Sequence, residues 1–240
     1  LTVDVPQVSR RVRDHRNGFT VPFAMTPRAF WDFASHPRWS LSTLAAGAPR
    51  PMNFTGSNGS STFDRGASRS GADWSFLKTL RDKWLGKLIV KGVTSTADAR
   101  QVQSLGVDAI YVSNHGGRQL DSVPPAIQLL SLIRAAVGPE FPLLFDSGIR
   151  NSEDIVKALA LGADFIMIGR PALLALGAEG AVGLNALLNC LETDIRVVMA
   201  QLGVTSISQL GPDIISKGTA LNSNDPKTTN RAALQLAAKT

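Results

Sequence analysis

From residue 74 onward, short apolar runs alternate with segments of helical period, and most changes of period fall at a glycine or a capping residue. Apolar runs of strand length lie at Lys87–Lys91, Asp108–Ser113, Pro142–Asp146 and Asp164–Ile168, and a fifth opens the chain at Leu1–Asp4. Between them the spacing predicts helices over Asp73–Trp84, Thr94–Leu105, Pro124–Val137, Ser152–Leu161 and from Ala172 to about Leu202. Gly106, Gly138 and Gly162 stop three of these, and Ser152 stands where it can cap the fourth. Such alternation implies a parallel sheet buried on both faces. Five strands fall short of the eight that close a (β/α)₈ barrel and leave two open edges. Either about three β/α units lie before residue 1, in another chain or segment, or the fold is an open α/β sheet.

The alternation is interrupted once, by an insertion at about 17–72 that is too long for an ordinary βα loop. Its first part carries Phe23, Met25, Phe30, Trp31, Phe33, Trp39, Leu41 and Leu44; its second, Pro49 to Gly71, is rich in Gly, Ser, Asn and Thr and is expected to be mobile or disordered. The aromatic part can lie on a membrane, cover an active site, or pack as a helix on its own barrel. A polar tail is expected over about 218–240.

Composition narrows the class. A chain of 240 residues with 44% hydrophobic content buries a real core, as one large domain or two small ones. The single cysteine, Cys190, excludes an internal disulfide and a cysteine metal cage, points to a reducing compartment or no redox role, and is expected in a helix core. His15 and His36 have no partner ligands at metal-binding spacing. The net charge of +6 is scattered except at Arg10 to Arg16, a run that Asp14 breaks and no aromatic platform accompanies. An anionic substrate and cofactor account for it better than nucleic acid does. No signal peptide is visible, and the apolar stretch Pro171–Leu188 is interrupted by Glu179 and three glycines, so it does not suggest a membrane span. The start at Leu1, already in strand-like sequence, suggests a fragment.

Chemistry-bearing residues collect at the strand ends: Asp4, Lys91, Ser113 with His115 and Arg118, Asp146 with Gly148 and Arg150, and Gly169 with Arg170. In a barrel these ends share one face. There an imidazole three residues from a guanidinium offers a base beside a carboxylate anchor, suited to a hydroxy acid. The glycines and arginines after the last two strands suit a phosphorylated cofactor.

Leu1 to Asp4, Leu88 to Gly92, Ser113 to Asp121, Asp146 to Arg150 and Ala158 to Arg170 together resemble the FMN-dependent 2-hydroxy-acid oxidase and dehydrogenase family, in order and over nearly all the chain. His36 to Leu41, with Asp146-Ser147-Gly148, look more like its membrane-associated mandelate and lactate dehydrogenases than its soluble oxidases. The resemblance implies a (β/α)₈ TIM barrel of which the chain supplies about strands 4 to 8, completed by an N-terminal segment. It also implies FMN, an (S)-2-hydroxy-acid substrate, a membrane quinone as acceptor and a homotetramer. Its localisation would be cytoplasmic, with attachment to the bacterial inner membrane through 17–72. Two other readings stay open: a soluble oxidase that reduces oxygen to peroxide, and an inactive half-barrel that acts only by associating with a partner.

By the same resemblance His115 is the base and Asp4 its orienting partner; Arg118 grips the substrate carboxylate with Arg11 as a second partner. Lys91 sits by the flavin N1 and O2 positions, Thr2 and Ser113 bond the flavin ring, and Asp146 bonds the ribityl chain beside Gly148. Arg150, Gly169 and Arg170 hold the phosphate. The sequence departs from the family at three places. The first half of the pattern, with its two active-site tyrosines, has no counterpart, and the only tyrosine, Tyr111, lies inside a strand. Asn151-Ser152 stand where an arginine and a glycine are common, and Ser9 stands where a glycine is.

Overall fold

A computed structural model describes residues 1–7, 12–18, 24–47, 71–120 and 122–215. Ser9, Arg10, Arg11, Phe23, Asp121, most of the Gly/Ser-rich part of the insertion and the 218–240 tail lie outside the described residues. The elements run α1 (Val12–Arg16), α2 (Pro27–Ser35), α3 (Pro37–Ala46), α4 (Trp74–Lys83), β1 (Ile89–Val93), α5 (Thr96–Ser104), β2 (Ala109–Val112), α6 (Ala126–Val137), β3 (Leu143–Phe145), α7 (Ser152–Ala160), β4 (Phe165–Ile166) and α8 (Arg170–Gln201). The sheet order is β1-β2-β3-β4, with every neighbouring pair parallel. The first expected strand is reduced to a single parallel bridge, Thr2 to Lys91, carried by the bonds Val3 N to Lys91 O (2.9 Å) and Lys91 N to Leu1 O (2.7 Å).

Side-chain oxygens start the helices, with Asp73 capping α4 and Ser95 capping α5. Helix α7 differs: Asn151, not Ser152, accepts the Asp154 N–H, and Ser152 is buried with its hydroxyl on Leu191 O of α8 (3.0 Å). The cap is displaced by one residue because Ser152 is needed to tie two helices together.

The strands alternate in burial with the pleat. Val90, Ile110, Val112, Leu143 and Phe145 are almost wholly buried in the core shared with Leu130 and Ile133 of α6 and Val102 of α5. Lys91, Tyr111 and Leu144, paired across the sheet, are only half-buried. Helices cover one face, while Lys91, Tyr111 and Leu144 on the other stay half-buried among the described residues.

Two aspartates fasten the end of the sheet opposite the site. Leu105-Gly106-Val107-Asp108 and Leu161-Gly162-Ala163-Asp164 repeat one pattern, each leading into a strand. Asp108 accepts the Leu88 N–H (2.8 Å) and pairs with Arg81 and Lys87; Asp164 accepts the Leu143 N–H (2.7 Å) and pairs with Arg134. The Leu88 N–H, then Lys87 and Arg81, hold the Asp108 carboxyl down to about 2, from an ordinary 3.8. A carboxyl depressed by folding stabilises the fold fully above its unfolded pKa and loses that contribution as pH falls through its folded one. Asp108→Asn should therefore lower stability at neutral pH and flatten the fall in stability between about pH 4 and pH 2. Urea unfolding at pH 7 and pH 3 checks this, and identical acid limbs would refute the clamp.

In the insertion, α2 and α3 form a helical pair. Thr26 caps α2, a proline opens each helix, and the Ser40 hydroxyl donates to Phe33 O (2.7 Å). The rings of Phe33 and Trp39 meet at 5.4 Å, yet neither helix buries a residue. Phe30 is 58% exposed and Trp31 72%, with Leu41 and Leu44 more than half exposed.

Helix α8 is long and apolar enough, by length and composition alone, to cross a membrane. It is broken, as the glycine spacing suggests, at Glu179 (φ −140°) and Gly180 (φ 60°, ψ −140°). Its second part packs on α7 through Leu191 and carries Glu192, Asp194 and Arg196. Cys190 is exposed there, not in a helix core, because only one side of this part of α8 meets α7. Its thiol donates to Asp194, whose hydrogen bond and charge push the thiol pKa up.

Candidate active site

The carboxyl ends of the parallel strands bring the charged strand-end residues to one rim. Lys91 pairs with Tyr111 in the β1–β2 register, and Tyr111 with Leu144 in the β2–β3 register. Residues two apart on a strand share a face, so Tyr111 and Ser113 point the same way as Lys91, and Asp146 follows Leu144 onto that face. The Lys91 ammonium donates to the Ser113 hydroxyl (2.9 Å), lies 3.5 Å from Asp146 Oδ2 and sits 4.7 Å from the centre of the Tyr111 ring. The Tyr111 hydroxyl donates to Asp146 Oδ2 (2.8 Å) and the Ser147 hydroxyl to Oδ1 (2.7 Å).

Burial works against the charge of Asp146, but hydrogen bonds from Ser113, Ser147 and Tyr111 together with the Lys91 ammonium outweigh it, and the carboxyl is held below the usual range. The same contact acts oppositely on the phenol. Burial, then the hydrogen bond to Asp146 and its charge, push Tyr111 well above the ordinary tyrosine value.

Beyond β2 the chain turns sharply through His115–Gly117, with His115 at φ 58° and Gly116 at φ 65°. A positive φ is uncommon for a side-chain-bearing residue, and here specific bonds hold it. Ser147, itself at φ 82°, accepts the N–H groups of Asn114 (3.2 Å) and Gly116 (3.0 Å), and Ser113 Oγ accepts that of His115 (3.0 Å). Across the turn Arg170 donates to Gly116 O (3.1 Å). The ring so placed has Nδ1 at 3.1 Å and 3.2 Å from the two oxygens of Asp4. Gly92 makes room for that carboxylate: its φ is +99°, and a Cβ there would stand 2.6 Å from Asp4 Cγ.

Of the residues expected at the site, Asp4 and His115 meet directly, as do Lys91, Ser113 and Asp146. Thr2 is bridged to Lys91 at the sheet edge. Arg118 ends the His115–Gly117 turn, its N–H on His115 O (3.3 Å). Gly148 follows Asp146 at φ 97°, and both Gly148 and Gly169 open onto free space. Arg150 is apart from the cluster, 80% exposed and 3.7 Å from Asp154. Arg11 lies outside the described residues. Sequence reasoning leaves out Tyr111 and Ser147. The period of two joining Tyr111 to Ser113 was available as a signal for the first; for Ser147 nothing local distinguishes a hydroxyl that ties two loops. Asn114 Oδ1 is buried without a partner among the described residues.

A family model described as FMN-dependent dehydrogenase matches residues 1–217. (S)-mandelate dehydrogenase of Pseudomonas putida is 39% identical over 227 residues, which cover 92% of this chain and 57% of that protein. An L-lactate dehydrogenase of Xanthomonas oryzae pv. oryzae is 36% identical over 237 residues, covering 93% and 60%. A crystal structure of (S)-mandelate dehydrogenase, described as a monotopic membrane protein, superposes with a TM-score of 0.84 at 40% identity, over 89% of this chain and 58% of that one. The parallel sheet with its helices is accordingly part of a (β/α)₈ TIM barrel, and the chain spans little more than half the length of these relatives. With a match spanning residues 1–217, which include the His115 turn and the Lys91–Asp146 cluster, the chain belongs to the FMN-dependent dehydrogenase family.

Proposed function

We propose that residues 1–240 are the C-terminal part of one FMN-binding barrel, with an insertion at about 17–72 and a polar tail at about 218–240. Completed by a preceding segment, this barrel oxidises an (S)-2-hydroxy acid, mandelate-like or lactate, to the 2-oxo acid and passes the electrons to a membrane quinone. The observation that carries this reading is the meeting, at one rim of a parallel sheet, of an imidazole–carboxylate pair and a lysine held over a hydrogen-bonded aspartate.

The residues fit FMN by their chemistry. Lys91 would offer a half-buried cation to the pyrimidine side of the flavin ring, where negative charge gathers on reduction, and Ser113 and Thr2 would hydrogen-bond the ring. Asp146 and Gly148 would hold the ribityl chain, and Gly169, which opens onto free space, with Arg150 and Arg170 would hold the phosphate. When bound, FMN supplies a two-electron acceptor. Asp4 holds the Nδ1 proton of His115, which leaves Nε2 to take a proton from the substrate, and the carboxylate then stabilises the imidazolium that results. Arg118 grips the substrate carboxylate in a bidentate fork, with Arg11 as its second partner.

The test is to co-express the chain with the N-terminal part of the mandelate dehydrogenase it resembles. The product should carry flavin absorbance that mandelate or lactate bleaches, with turnover raised by a quinone analogue. A complete but colourless barrel sinks the reading. Peroxide formation with no gain from quinone would replace the dehydrogenase by a soluble oxidase, and bound flavin without turnover would leave only a partner-binding role.

The exposed face of α2 and α3 supports attachment to the cytoplasmic surface of the inner membrane. Replacing Trp31 and Leu41 by serine should move the assembled homotetramer from the vesicle fraction to the soluble one in a flotation assay, with the flavin spectrum unchanged.

A further inference from the structure

We propose that Tyr111 is a positioning residue that sets how much of the Lys91 charge is available to the flavin; the inference rests on the flavin reading above. Beside the hydrogen bond from Ser113, a phenol and an ammonium compete for the Asp146 carboxylate on the barrel face. The Tyr111 hydroxyl reaches its Oδ2 at 2.8 Å, whereas the Lys91 ammonium stands 3.5 Å away, beyond ordinary hydrogen-bond length, and donates to Ser113 Oγ (2.9 Å) instead. The phenol thus occupies the oxygen that would otherwise capture the lysine. Its ring, with centre 4.7 Å from the ammonium, supports Lys91 in this withdrawn position, as a cation over an aromatic face. Ser147 completes the arrangement by donating to the other oxygen, so the aspartate is satisfied by neutral donors and its charge is spread away from Lys91.

The electrostatic consequence has a definite sign. A lysine in tight contact with a carboxylate presents little net charge to a third group, whereas one held off the carboxylate presents more. Removing the hydroxyl lets Lys91 close on Asp146 and also leaves that carboxylate more negative. Both changes make the site less favourable to an anionic reduced flavin and lower the potential.

The experiment compares the complete, flavin-loaded barrel with its Tyr111→Phe variant, which keeps the ring and removes the hydroxyl. Midpoint potentials are measured by equilibration with a reference dye. The reduction equilibrium of the variant should be about tenfold less favourable, a shift of about 30 mV to the negative for a two-electron couple. In an Asp146→Asn background the same substitution should have no effect on the potential, because the competing charge is gone; a merely structural role would not follow that pattern. Two flavin-loaded proteins of equal potential overturn the inference alone, and a complete barrel that binds no FMN overturns the flavin reading with it. Should the variant fail to take up flavin, the crystal structure of the flavin-loaded parent barrel decides the matter. Lys91 in contact with Asp146 Oδ2 and the phenol displaced would overturn the proposal; the phenol on Asp146 with Lys91 turned to Ser113 supports it.

Discussion

Replacing His115 by asparagine lowers the rate at which substrate bleaches the bound flavin by about 10²–10⁴-fold, the span typical of a lost general base. Asparagine is chosen for the backbone. His115 sits at φ 58°, a conformation asparagine tolerates better than most residues, so the turn, its bonds to Ser113 and Ser147 and the contact with Arg170 survive the change. What is lost is a ring whose Nδ1 lies 3.1 Å from Asp4 and whose other nitrogen is left for the substrate. Asp4→Asn should also slow the reaction, and the double variant should be little worse than His115→Asn, since the two act as one unit. Stopped-flow reduction under anaerobic conditions separates this step from electron delivery to the quinone. A variant within threefold of the parent rate would remove His115 from the mechanism.

Lys91→Met is expected to be nearly as damaging, by a different route. It lowers the rate of flavin reduction by roughly 10²–10³-fold, as loss of one preorganised charge opposite a developing anion does elsewhere. It also makes the midpoint potential more negative. Asp146 keeps the hydroxyls of Tyr111 and Ser147, so the carboxylate is not orphaned and the fold should persist. Loss of the ammonium should raise the Asp146 pKa, while the hydrogen bonds from Ser113, Ser147 and Tyr111 still hold it down. Stopped-flow kinetics and potentiometry on one preparation measure both effects. A reduced rate with an unchanged potential would show that Lys91 acts only in packing.

Much of this was legible along the chain. Period alone located four strands and the helices between them, because a strand with one covered face and a helix on that face must each place apolar residues at fixed spacing. Asp4, Lys91, Ser113, His115, Asp146 and Arg170 were identifiable because a parallel sheet brings all its carboxyl ends to one side. The errors share a cause. Asn151 takes the cap expected of Ser152 because Ser152 is claimed by Leu191, which lies on another helix. Cys190 is exposed because helical period reveals that a face exists without revealing what lies against it.

By itself, the sequence determined the order and kind of the elements, the end of the sheet at which chemistry collects, and the family, through the unbroken set of motifs from Leu1 to Arg170. Tertiary structure alone decided which groups touch. Asp4 and His115 are 111 positions apart and Tyr111 and Asp146 are 35 apart, and no local spacing rule spans such distances. Their meeting follows from parallel register, which sets residues of successive strands side by side, and from two side-chain-bearing positions, His115 and Ser147, held at positive φ by bonds from neighbouring loops. Those bonds depend on three-dimensional closure, the one property that a linear pattern of apolar and polar residues does not encode.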